Sequence, residues 1–201
     1  MSLPESQRVE RALQHWDTVV AGRFPRCQDL LRRGGGGIYL ARKTNRAAGI
    51  PEPELLYATR YIDDVDNTPV CWAGALPLAP NDHSMPAGMP AEFINYHTQI
   101  HDGLRNTIDD FGGILRASNI FPLSEYYTIE GSEFRNVPEC FDPTTVDLTQ
   151  IYAVSCIATQ GCALDVTNPQ DSTAVWYWYD SILLPLDDYW DQIDRDIWLA
   201  V

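Results

Sequence analysis

IYAVSCIATQGCALDVTNPQDSTAVWYWY, residues 151–179, holds the three strongest β candidates of the chain. They are Ile151 to Ala158, Cys162 to Val166 and Thr173 to Tyr179, separated by Thr159-Gln160-Gly161 and by Thr167 to Ser172. β-Branched and aromatic side chains suit a pleated surface, and connections this short join antiparallel neighbours, so the stretch predicts an antiparallel meander. The run Ala174 to Tyr179 is nearly all β-branched or aromatic, so both of its faces must be substantially covered or functional. Alternation puts Trp176 and Trp178 on one face and Tyr177 and Tyr179 on the other.

Helical periodicity brackets this meander. Downstream, Leu186, Trp190, Ile193 and Ile197 share one face of a helix over 186–199, with Asp187, Asp188, Asp191, Asp194 and Asp196 elsewhere, which predicts a docking helix with an acidic outer surface. Upstream, a helix opens at Pro90 with Phe93, Tyr96, Ile100 and Leu104 on one stripe and meets a stop signal at Asp102-Gly103. Short strands at Gly113 to Leu115 and Ile120 to Leu123 follow, then a region rich in turn formers to Leu148. Nearer the N-terminus, Val9, Leu13, Trp16 and Val20 mark a helix over 5–21, and a second short helix spans Gln28 to Arg33. Strands are expected at Ile38 to Ala41, Leu55 to Ile62 and Val70 to Ala75. The fold class is α+β, a central, mostly antiparallel sheet flanked by helices. Four prolines from Pro77 to Pro90 exclude helix and central strand, so 77–90 reads as a linker between a basic N-terminal extension, 1–76, packed on the core, and a core domain, 90–201.

Length and composition set limits. A chain of 201 residues that is 45% hydrophobic and 11% aromatic can bury a core and is too apolar for the disordered class. Its apolar runs fall far short of the roughly 20 residues that cross a bilayer, and residues 1–21 lack the apolar centre of a secretory signal, so a cytoplasmic protein without membrane contact is expected. Five widely spaced cysteines, with no CxxC pair, read as free thiols in a reducing compartment, with a Cys156–Cys162 disulfide left open.

Charge is the most informative bulk property, a formal −14 unevenly distributed. Residues 1–60 carry ten Lys or Arg against six Asp or Glu, whereas residues 61–201 carry four against twenty-two, or −18. Such a field repels phosphate backbones, so nucleic acid is not the expected partner. It favours fast, salt-sensitive capture of a cationic protein surface.

Catalytic constellations are weak. His97 and His101 lie four apart on a helix and could share a metal ion, with Asp102, Asp109 or Asp110 as a third ligand, but Thr98 stands where a zinc hydrolase of the HExxH type needs its Glu. Gly34 to Gly37 lack the strand, the helix and the Lys-Ser or Lys-Thr of a phosphate loop. Cys140 follows Glu139, whose carboxylate would raise its thiol pKa. The Asp63-Asp64 turn lacks the glycine and glutamate of a calcium loop. No Gly-x-Ser-x-Gly occurs, and neither a cofactor nor a catalytic residue is expected; a metal-dependent hydrolase using His97 and His101 stands as the alternative.

Residues 89–198 resemble the SUKH superfamily, the Smi/Knr-like proteins. Met89-Pro90-Ala91-Glu92-Phe93-Ile94-Asn95-Tyr96, running on to Asp102-Gly103, is similar to the family's Leu-Pro element and its Phe-bearing helix. Gly113-Ile114-Leu115 and Ile120-Phe121-Pro122-Leu123-Ser124-Glu125 look like its short strand and next helix start. Ile151-Tyr152-Ala153-Val154, Gly161-Cys162-Ala163-Leu164-Asp165 and Val175-Trp176-Tyr177-Trp178 resemble its last strands, followed by a helix around Tyr189-Trp190. The proline-rich 77–90 departs from the acidic helix that the family often carries there, and residues 1–76 have no counterpart. The resemblance implies an immunity protein that neutralises a toxin domain with a basic surface, or a regulatory or scaffold module on the same fold. On charge and position, the expected partner contacts are Asp102, Asp109, Asp110, Glu130 and Glu133, with Tyr177 or Tyr179 on the aromatic strand.

Overall fold

The structure is a computed structural model; it describes residues 3–33, 36–44, 51–62, 69–79, 82, 84–107, 112–128, 147–157, 160–167, 174–178 and 182–199. Within these residues the fold is α+β, with eleven strands in one antiparallel sheet. Helices α1 (Glu5–Val19) and α2 (Pro25–Arg33) lead into β1 (Gly37–Thr44), β2 (Pro51–Ile62) and β3 (Pro69–Ala75). Then come α3 (Ala91–Gln99), β4 (Leu104–Asn106), β5 (Gly112–Ile114), β6 (Phe121–Pro122) and α4 (Leu123–Thr128). The chain continues through β7 (Ile151–Ala153), β8 (Ser155–Ile157), β9 (Gln160–Asp165), β10 (Ala174–Trp178) and β11 (Ile182–Leu186) to α5 (Tyr189–Leu199). The sheet order is β1-β2-β3-β4-β5-β8-β9-β10-β11, with β7 on β9 and β6 on β7.

Register assigns the two faces. Tyr57 lies opposite Ile38 and Trp72, and Gly74 opposite Leu55 and Leu104, which continues to Ile114 and Ser155. These side chains share the face on which α1, α2, α3 and α5 pack, so the helices described there lie to one side of the sheet rather than on both. The opposite face carries the rung Tyr39, Leu56, Ala73, Arg105, Gly113 and Cys156.

The pairing of Gly74 with Leu104 and Trp72 with Asn106 joins segments that flank the proline-rich stretch. Residues 1–76, expected as an extension packed on a separate core, thus supply three strands of the common sheet and two helices of the common layer. The stretch 77–90 is itself fastened down: the Leu78 N–H donates to the His97 carbonyl, Met89 is buried, and Gly88, at φ +86°, lies against Val166.

The centre of the core is aromatic. Trp16 meets Phe24 and Tyr57 edge-on at 5.5 and 5.3 Å, and Phe24 meets Trp190 at 5.3 Å. Phe24 adopts a left-handed φ of +60°, a conformation costing about 1 kcal/mol or more in a side-chain-bearing residue. Full burial of its ring among Trp16, Tyr96 and Trp190 offsets that cost and fixes the turn between α1 and α2.

Three details differ from the periodicity. The strand expected over 151–158 breaks at Val154, whose carbonyl accepts from Leu115 N–H while its own N–H donates to Cys162, so β7 turns to β6 and β8 to β5. Leu186 ends β11 rather than starting the helix, because it pairs with Ala174. Leu104, expected on the stripe of the helix opening at Pro90, begins β4 instead, because α3 ends at Gln99. Cys156 and Cys162 are both free thiols, in line with the sequence reading.

Candidate functional site

His97 and His101 do share a region of the core, but as packed residues. His101 is 1% exposed; its Nδ1 lies 3.0 Å from the Ala75 carbonyl and its Nε2 2.6 Å from the Tyr57 hydroxyl. A carbonyl only accepts, so Nδ1 carries the proton and Nε2 accepts from Tyr57. Burial pushes the ring's pKa down to about 4, against a smaller opposing effect of the Ala75 carbonyl. The His97 ring is wholly buried, with Nδ1 3.1 Å from Asp102 Oδ1 and Nε2 without a partner among the described residues. Both nitrogens of His101 are therefore engaged away from any shared ion. Among the described residues no group of three His, Cys, Asp or Glu is gathered to hold a metal ion.

Asp102, an expected partner contact, faces inward. Its side chain is 14% exposed and its Oδ1 takes the His97 ring and the Ala117 N–H at 2.8 Å, which fixes the turn into β4. Tyr177 sits in the middle of β10, opposite Gly161 and Leu183. Asp109, Asp110, Glu130, Glu133 and Tyr179 lie outside the described residues, as does Cys140. Burial raises the thiol pKa of Cys27, of Cys71 and, up to about 12, of Cys162, so these sulfurs are poor nucleophiles at neutral pH.

The opposite charges of the two ends of the chain meet inside the molecule. Arg23, after α1, binds Glu92 at 3.1 Å and Asp188 at 2.7 Å, and Arg26 binds Asp191 at 2.7 Å and Asp194 at 3.3 Å. Asp194 is fully buried and accepts the Arg26 and Cys27 N–H groups at 2.9 and 3.0 Å, capping α2 from another helix. Asp196 is buried too, held by Gln192 at 2.7 Å. The acidic outer surface expected of α5 is thus partly a buried seam, because α2 docks on the side where the helix's own periodicity puts acids.

Unpaired negative charge collects elsewhere. Leu164, Ala174 and Leu186 form one rung of β9, β10 and β11, so Asp165 and Asp187 stand at the same end of the sheet, separated by two strand spacings, or about 10 Å. Ile151 lies opposite Asp165, and the turn before it brings Asp147 to that end as well. Asp147 accepts the Thr149 hydroxyl and N–H, and these bonds hold its pKa below the usual carboxylate range. Asp165 takes the hydroxyl and N–H of Thr167 in the same way. Among the described residues none of the three is ion-paired. Sequence reasoning placed Asp187 only on the acidic side of the terminal helix and singled out neither Asp147 nor Asp165 as a contact; the repeated Asp-x-Thr at 147–149 and 165–167, each beside a strand end, was the available signal for these two. Among the described residues no helix is long and apolar enough to cross a membrane. Compared with protein-family models, curated proteins and solved structures, the chain finds no match.

Proposed function

We propose that the protein works by binding a cationic surface of another protein, and that this partner is a toxin domain with a basic, nuclease-like cleft, which the protein neutralises as SUKH-type immunity proteins do. The convergence of Asp147, Asp165 and Asp187 at one end of the sheet carries the reading, since three carboxylates without a cation partner among the described residues project a field into solvent. The resemblance of residues 89–198 motivates the choice of a toxin. His97 and His101 lend nothing to the hydrolase alternative, because each already serves the core. A regulatory or scaffold module would use the same surface and differ only in its partner.

The test takes as its probe a toxin domain encoded by a gene neighbouring that of this chain, whose absence would count against the proposal, and follows association by stopped-flow. Raising salt from low to physiological strength should slow association by about tenfold, and changing Asp147, Asp165 and Asp187 together to Asn should slow it by a similar factor at low salt. An association rate indifferent to both changes, or absence of binding, would discard the proposal.

A further inference from the structure

The last turn of α5 holds a carboxylate where the surroundings suit its neutral form. Asp196 is 7% exposed and opens the final four residues of the helix, whose carbonyl ends carry partial negative charge and which include no basic side chain. It lies three residues after Ile193 and one before Ile197, both buried, so it borders the stripe that seats α5 on the sheet. Among the described residues its side chain has one partner, the Gln192 amide one turn back at 2.7 Å. That partner is neutral and leaves a buried charge uncompensated.

The cations nearby are engaged by other acids. Arg26, from α2, holds Asp191 and Asp194, and Arg195, on α5 itself, holds Asp191 at 3.0 Å. Strand β5, Gly112–Ile114, packs on the helix without a titratable side chain. Strand β9 brings the Cys162 thiol, pushed up to about 12 by burial with the Asp196 charge acting in the same direction, while Asp165 alternates to the opposite face. Arg23, Glu92 and Asp188 meet α5 at its first turn. Burial raises the Asp196 carboxyl from 3.8 to about 6, against smaller effects of the Gln192 amide and Arg195. We propose that the C-terminal half of α5 is a proton-sensitive latch on the sheet: it grips β5 and β9 while Asp196 is protonated, and ionisation of Asp196 loosens it. A neutral carboxyl can stay in the seam, whereas a carboxylate is solvated best when the turn moves into water. The grip is full below 3.8 and declines as pH rises through about 6. Asp194, two residues earlier, caps α2, so the latch also bears on the neighbouring helix. None of this depends on the cationic partner or on Asp147, Asp165 and Asp187.

Amide hydrogen exchange of the full chain at pH 5 and at pH 7 tests it, each rate divided by that of an unstructured peptide at the same pH. Protection over residues 193–199 should fall about tenfold from pH 5 to pH 7, the factor that a carboxyl moving between 3.8 and about 6 supplies, while α1 loses no protection. Asp196→Asn keeps the shape of the neutral form and should hold protection at pH 7 within about twofold of its value at pH 5. Asp191→Asn, which removes a partly exposed acid of the same helix, should retain the parent's fall of about tenfold. Protection indifferent to pH, an equal fall in α1, a fall that survives Asp196→Asn, or one abolished by Asp191→Asn would each overturn the proposal.

Discussion

Gly74 is glycine because of His101. It has no need of an unusual backbone angle; a Cβ at this position of β3 would collide with the imidazole ring, which lies directly on the strand. The ring cannot retreat, since Tyr57 and the Ala75 carbonyl hold its two nitrogens and Trp16 packs against it at 6.2 Å. Gly74→Ala should therefore cost about 2 kcal/mol or more, read as a lowered urea midpoint at unchanged slope. An unchanged midpoint would mean that the ring can slide. The helical spacing of His97 and His101 was legible and suggested a metal. What each ring touches was not, because Tyr57 and Ala75 reach His101 from 44 and 26 residues away and no local pattern encodes such contacts.

Helix α5 shows how much an element's own pattern can say. Its stripe of Trp190, Ile193 and Ile197 is buried as periodicity requires. The acids were harder to place, since five aspartates over 187–196 look alike in sequence, while in the fold Asp187 is exposed, Asp188 caps α5 itself through the Trp190 and Asp191 N–H groups, and Asp194 caps α2. Asp194→Ala strands two backbone donors in a largely buried seam and should lower stability by about 2 kcal/mol. Asp191→Ala removes only partly exposed ion pairs to Arg26 and Arg195 and should cost less than about 1 kcal/mol. Parallel denaturation curves decide; equal losses would show that the cap is not what joins the two helices. Strands β1 to β3 and β9 to β10 were visible from composition, whereas the three-residue β4 had no signal of its own. It is a strand because β3 and β5 lie on either side of it.

At the scale of the whole molecule, two buried groups give stability a pH dependence of opposite sign. His101 titrates near 4 in the fold against 6.5 when free, so its neutral form is fully favourable above 6.5 and the stability it supplies is lost as pH falls from 6.5 towards 4. Burial raises Asp196 from 3.8 to about 6, so its ionisation weighs on the fold above 6 and is relieved as pH falls towards 3.8. Each is worth up to about 3 kcal/mol, and over pH 6 to 4 they oppose one another. Asp196→Asn should raise the urea midpoint at pH 7 and steepen its fall between pH 6 and 4 relative to the parent at each pH; parallel profiles would assign the titration to other groups. Charge asymmetry between the ends of the chain was evident in sequence, but not that Arg23 and Arg26 would spend part of it internally, nor that strand register would bring Asp147, Asp165 and Asp187 together. The aromatic cluster that closes the core draws on Trp16, Phe24, Tyr57, Tyr96 and Trp190. During synthesis on a ribosome, the first four wait unsealed until Trp190 has cleared the exit tunnel, so the interior of this fold closes only once α5 has been made, and its aromatic surface stays open until then.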